Sequence, residues 1–225
     1  MKVFAKLKRS LADDRQTMKS LSFRKKIRFI LDYYKGYAFI LLLLCMAIFY
    51  CADAVMTMQR ETVLEGFFTN DPENLYPAKT ISEDFSKVLN LSSHQQVSFD
   101  DSLYVELGSA IDYHASSQSK IVAYISAREL DFLVTTKDLT EYYCKNFPLY
   151  DLEELIPAEL LPQLQDQLYY AVDGNGEEKA CAVSMEGTRF QQKSESEPHY
   201  LMVMSYTEHQ EAMVEFLKYA FTPLE

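Results

Sequence analysis

The hydrophobic positions keep three different rhythms along the chain. Phe23, Ile27, Ile30, Leu31 and Tyr34 recur at i, i+4, i+7, i+8 and i+11, one stripe of an amphipathic helix. Gly36 to Ala52 then carries no formal charge and centres on Phe39-Ile40-Leu41-Leu42-Leu43-Leu44. A helix over these residues spans about 25 Å, near the short end for a ~30 Å hydrocarbon core. With Asp53–Met56 included it reaches about 20 residues, enough for one membrane-spanning helix. Four consecutive Leu beside a basic flank favour that reading over a buried core helix.

Beyond the span the period changes again. Residues 57–65 read as an outward helical stalk, and 66–225 as a domain in which strand-like and helix-like segments alternate. Gly66-Phe67-Phe68-Thr69 is a short apolar run closed by Asn70-Asp71-Pro72. Thr80-Ile81-Ser82-Glu83 has capping-box spacing before a face of Ile81, Phe85, Val88 and Leu89. From Val97 to Leu107 the odd positions are apolar except Asp101, which belongs either to a turn with Asp100 and Ser102, the favoured reading, or to an inward-facing site. Residues 116–129 predict a helix, and Leu130–Thr136 a strand buried on both faces. A helix from Asp138 follows, stopped by Pro148, with short helical turns at 151–157 and 159–164. Leu168–Val172 and Lys179–Met185 flank Asp173-Gly174-Asn175-Gly176, a hairpin signal. Tyr200–Ser205 predicts another buried strand. Met213, Phe216, Leu217, Ala220 and Phe221 stripe a final helix behind the capping box Thr207-Glu208-His209-Gln210. The expected fold is α/β, a three-layer domain with a mixed, mainly parallel sheet, preceded by one long membrane-spanning helix.

Charge sets the orientation. The first 35 residues carry eleven Lys and Arg against three acids, and the remainder eleven against thirty. Residues 1–35 are therefore a basic cytoplasmic arm, 36–56 the span, and the acidic domain lies outside the cell membrane. Arg24, Lys25, Lys26, Arg28 and Lys35 are expected at the bilayer surface, where each basic group near an anionic leaflet is worth about 1 kcal/mol. Exterior acidity argues against nucleic acid as a partner. Ala52-Asp53-Ala54 has the pattern of a signal-peptide cleavage site, but the long basic arm and long apolar run favour retention.

Chemistry is sparse. Nucleophile elbows, phosphate-cradling Gly loops and paired metal ligands are missing from the sequence, so no enzyme activity, cofactor or metal is expected. His94, His114, His199 and His209 are scattered and read as structural or solvent-exposed. Asp173–Glu177 resembles the start of a calcium loop, but Ser184 stands where the closing Glu would be, so the turn reading prevails. Cys144 and Cys181 are the exterior thiols, with two buried free thiols favoured over a disulfide. If a small polar ligand binds, α/β logic places it at strand C-terminal ends, at Thr69, Asn70, Thr135 and Thr136, with Asp101 as an inward-facing alternative.

Ser119–Val134 resembles the helix-then-strand signature of extracytoplasmic solute-binding proteins of the ABC-transporter type. There a helix ends in a small-acidic-apolar-Asp pattern, here Ala127-Arg128-Glu129-Leu130-Asp131. Leu149-Tyr150-Asp151-Leu152-Glu153-Glu154-Leu155 is similar to a later segment of those proteins. Met202-Val203-Met204-Ser205 with the helix bearing Ala212, Phe216 and Leu217 is similar to their closing strand and helix. The resemblance covers residues 64–221. It implies a reduced, one-lobed or shallow-cleft relative that binds or senses a small ligand, with a transporter subunit as a further partner; the alternative is a structural or scaffolding domain at the cell surface. The whole chain also resembles single-pass membrane proteins of Gram-positive gut bacteria, with Asp32-Tyr33-Tyr34-Lys35 before the span.

Overall fold

A computed structural model describes residues 36, 39–52, 60–191 and 197–222. The chain divides into two compact units, Met1–Gln59 and Arg60–Glu225. In the first, residues 39–52 are helical with outward-facing apolar side chains, Phe39 and Leu41 among them. No helix among the described residues is long and apolar enough to cross a membrane. The basic residues Arg24, Lys25, Lys26, Arg28 and Lys35, and residues 37–38 and 53–56 of the expected span, lie outside the described residues.

The second unit runs β1 (Glu61–Thr69), α1 (Ala78–Val88), β2 (Gln95–Leu103), α2 (Asp112–Ala127), β3 (Phe132–Thr136), α3 (Lys137–Asn146), α4 (Leu152–Leu155), α5 (Leu161–Leu164), a 3-10 turn, β4 (Leu168–Val172), β5 (Glu178–Ser184), β6 (His199–Val203) and α6 (Gln210–Phe221). The six strands form one sheet in the order β2-β1-β3-β6-β5-β4. β1 pairs in parallel with both β2 and β3, whereas β6 lies antiparallel between β3 and β5, and β4–β5 is the expected hairpin. The sheet is mixed, but its pairings are mostly antiparallel, which corrects the mainly parallel expectation. A strand buried on both faces reads as a continuous apolar run in either direction, so Tyr200–Ser205 carried no sign of its orientation. β1 also begins at Glu61, which overturns the helical stalk over 61–65.

Two apolar clusters lie on opposite faces of the sheet, giving three layers. One gathers Leu64, Phe68, Phe132 and Val134 with Ile81 and Phe85 of α1 and Met213, Phe216, Leu217 and Ala220 of α6. The other gathers Phe67, Leu133 and Met202 with Ile121 and Ile125 of α2 and Leu139, Tyr143 and Cys144 of α3. Gly66 lets β1 and β3 meet: a Cβ there would stand 2.1 Å from Cζ of Phe132. The hairpin turn closes on Asp173, whose Oδ1 accepts from Asn175 N at 2.8 Å and Glu177 N at 3.1 Å, and Gly176 takes φ +87°.

Cys144 of α3 and Cys181 of β5 are joined by a disulfide, with Cα atoms 6.2 Å apart. This corrects the expectation of free thiols. Both residues are buried on the same face, and only the fold brings them together from a sequence separation of 37.

Asp101 lies in neither a turn nor an interior site. β2 continues through it, and the register passes from Phe67↔Asp100 to Thr69↔Leu103, so Asp101 and Ser102 stand opposite Phe68 alone. That one-residue bulge exchanges the faces of the strand: Val97 and Phe99 join the first cluster, Leu103 and Val105 the second. Asp101 Oδ2 accepts from Ala78 N at 2.8 Å, capping α1 from a neighbouring strand. The helix consequently starts at Ala78, two residues before the expected capping box, with no side-chain cap of its own. Asp101→Ala is expected to cost about 1 kcal/mol in urea unfolding, and Asp101→Asn, which keeps an acceptor, clearly less. Equal losses would show that the carboxylate does not act through this hydrogen bond.

Candidate functional site

The strand C-terminal ends bring four of the expected ligand residues near one another, and the side-chain polar groups of three of them, Thr69, Asn70 and Thr135, are engaged internally. Thr69 and Thr135 are buried, with Thr69 Oγ1 donating to Thr135 Oγ1 at 2.7 Å. Asn70, at φ 58°, clamps Val105 by two bonds: Nδ2 donates to its carbonyl at 2.8 Å, and Oδ1 accepts from its N–H at 2.7 Å. The Asn70 carbonyl faces His199 Nε2 at 3.1 Å; a carbonyl only accepts, so the ring proton sits on Nε2. Thr136 precedes α3 without a side-chain cap, and its carbonyl accepts from Thr140 Oγ1. Asp101 stands apart, at the start of α1.

A cleft of about 570 Å³ opens instead where β3 begins and β6 ends. Glu65 of β1 and Ser98 of β2 line it, with Tyr124 and Arg128 at the end of α2, Asp131 before β3, and Tyr206, Thr207 and His209 before α6. Asp131 organises it. This carboxylate is 5% exposed and threaded between strands, its N–H donating to the Glu65 carbonyl and its own carbonyl accepting from Met204 N. Its Oδ2 accepts from Glu65 N at 2.7 Å, and its Oδ1 accepts from Thr207 Oγ1 at 2.5 Å. His209 Nδ1 lies 3.0 Å from both carboxylate oxygens. A carboxylate held this way fixes the imidazole and leaves Nε2 for the cleft. Thr207 Oγ1 also accepts from His209 N, so the residue expected to open a capping box serves instead as the link between α6 and Asp131.

Glu65 is the unusual group. Burial, reinforced by the charge of Asp131, pushes its carboxyl up to about 7 against a hydrogen bond from Ser98 that favours ionisation. Tyr206 is raised to about 12, chiefly by burial and then by Asp131, and its hydroxyl has no partner among the described residues. A carboxyl raised in the fold favours the native state while protonated, and that contribution is lost as pH climbs from the ordinary carboxyl range through about 7. Glu65→Gln is therefore expected to raise stability by about 1–2 kcal/mol at about pH 8, after discount for partial solvation, and to match wild type near pH 5. Thermal unfolding at the two pH values checks it; a constant difference would exclude titration as its source.

The sequence carried one signal for this site. Glu65 and Asp131 each interrupt an apolar strand run, Leu64-Glu65-Gly66-Phe67-Phe68 and Leu130-Asp131-Phe132, and an acid there must find partners when buried. Nothing local says that the two acids meet, or that His209 joins them. Among the described residues no group of three or more His, Cys, Asp and Glu is placed to hold a metal.

Fold and site define a three-layer α/β domain with a mixed sheet and a polar cleft at the end opposite the strand C-termini of β1–β3. No family model matches the chain, and neither a curated protein nor a solved structure is significantly similar to it.

Proposed function

We propose that this chain is a membrane-anchored, non-enzymatic extracytoplasmic module that binds or senses a small polar ligand, in the manner of a reduced solute-binding protein. The observation that carries the reading is the cleft at Glu65, Asp131 and His209, a concave site whose polar groups are oriented by a buried carboxylate. The ligand belongs there rather than at Thr69, Asn70, Thr135 and Thr136, the first three of which have their side-chain polar groups engaged with the protein itself. Thr207 directs its hydroxyl at Asp131 and not at the imidazole, so the Asp–His pair has no activated nucleophile in that residue, which favours binding over catalysis.

The anchor is the uncharged stretch 36–52 behind its basic arm, with the N-terminus in the cytoplasm and the lipid bilayer as first partner. A disulfide between Cys144 and Cys181 suits an oxidising exterior. A transporter subunit is the second partner the reading implies. Scaffolding is the alternative, favoured by exposed Tyr104, Leu107, Ile111 and Tyr113 between β2 and the start of α2.

The test is thermal unfolding of the detergent-solubilised full chain against sugars, amino acids, peptides, amines and metal salts. A ligand at 100 times its Kd adds about 2.7 kcal/mol. No shift with any class would remove the binding reading in favour of scaffolding. Protease added to intact cells should degrade the domain; protection would overturn the orientation.

A further inference from the structure

Resting on that reading of the cleft, we infer that its ligand carries a primary ammonium group, received by the Glu65 carboxylate beside the ring of Tyr124. The protein already builds one such berth on the same face of the sheet. The Lys120 ammonium sits 2.5 Å from Asp100 Oδ2 and lies over the rings of Phe67 and Tyr124, 5.2 and 5.6 Å from their centroids. Carboxylate, ammonium and aromatic faces complete one another there. Glu65 repeats the carboxylate half of the arrangement, on the adjacent strand and beside the same Tyr124, with a side-chain hydrogen bond from Ser98; the Lys120 ammonium, paired with Asp100, acts on it only at longer range.

The surrounding charges favour a cation over an anion. Asp100 and Lys120 neutralise each other on β2 and α2. On the other sides Glu65 faces Asp131 before β3, Glu129 and Arg128 after α2, and Tyr206, Glu208 and His209 before α6. Acids outnumber bases in that set, and Asp131 is fully engaged by Glu65 N, Thr207 and His209. Glu129 and Glu208 are exposed to solvent, so Glu65 is the partly buried acid left to take a charge. Tyr206 Oη and His209 Nε2 then suit a hydroxyl or second polar group on a short chain. The site calls for a small amino-alcohol or diamine rather than a sugar or a carboxylic acid.

An incoming ammonium needs Glu65 ionised, so binding and deprotonation are linked. Ethanolamine and putrescine are the probes, with ethylene glycol, glucose and acetate as neutral and anionic controls, each titrated by thermal shift into the full chain in detergent. The amines are expected to bind about thirtyfold more weakly at about pH 5.5 than at about pH 8, following a carboxyl near 7. Glu65→Gln should abolish the amine response while unfolding at the wild-type temperature near pH 5, which shows the variant is folded. Binding of the controls without the amines, or an amine response that survives in Glu65→Gln, overturns the ammonium inference and leaves the cleft as a binding site. Silence from every compound class overturns both.

Discussion

Replacing Cys144 and Cys181 together by alanine is expected to lower the free energy of unfolding by about 4 kcal/mol. The figure follows from the chain entropy released when a cross-link over a sequence separation of 37 is removed. The effect is large because the bond ties α3 to β5, elements otherwise held by packing on one face of the sheet. Both sites are fully buried, and alanine there adds a small cavity cost to the entropic one. Urea unfolding of the full chain in detergent, with and without reductant, is the measurement. A double variant within about 1 kcal/mol of wild type, or a wild type indifferent to reductant, would show that the bond contributes little. Thiol labelling of denatured protein from intact cells adds a second readout: protection of both cysteines until reduction is expected of an oxidising exterior.

Phe216→Ala is expected to cost about 3–5 kcal/mol, enough to leave a domain of ordinary stability only marginally folded. Phe216 is fully buried at the centre of an aromatic cluster. Its ring stacks on Phe132 at 4.8 Å, meets Phe85 and Phe99 edge-on at 5.2 and 5.5 Å, and lies 6.3 Å from Phe190 and from Tyr219. Truncation removes the residue through which α6, α1 and the sheet pack, and the void borders rings that are slow to collapse into it. Phe216→Leu, which keeps much of the volume, should cost less than half as much. Thermal unfolding distinguishes the two, and equal losses would mean the cluster tolerates any apolar filling.

The packing of α6 was legible because it is local. Met213, Phe216, Leu217 and Ala220 recur at helical spacing, and all are buried. The hairpin at Asp173–Gly176 was legible for the same reason, since turn chemistry acts over a few residues. Helix 112–127 and strand 132–136 fell within a few residues of the segments expected from their periodicity. Asp101 shows where that reading ends. An acid breaking an alternating run has the same appearance whether the chain turns, bulges or opens a site, and the pairing of β2 with β1 is what selects the bulge.

Alone, then, the sequence determined most of the helix and strand segments beyond residue 65 and the apolar side of its helices, and that a basic arm and an uncharged stretch precede an acidic domain. Those properties depend on residues within a turn or two of one another. Tertiary structure decided the antiparallel insertion of β6, the Cys144–Cys181 bond and the cleft, whose members Glu65, Asp131 and His209 lie 66 and 78 residues apart along the chain. Contacts at such separations depend on how the whole sheet is ordered, and short-range periodicity carries no term for that order.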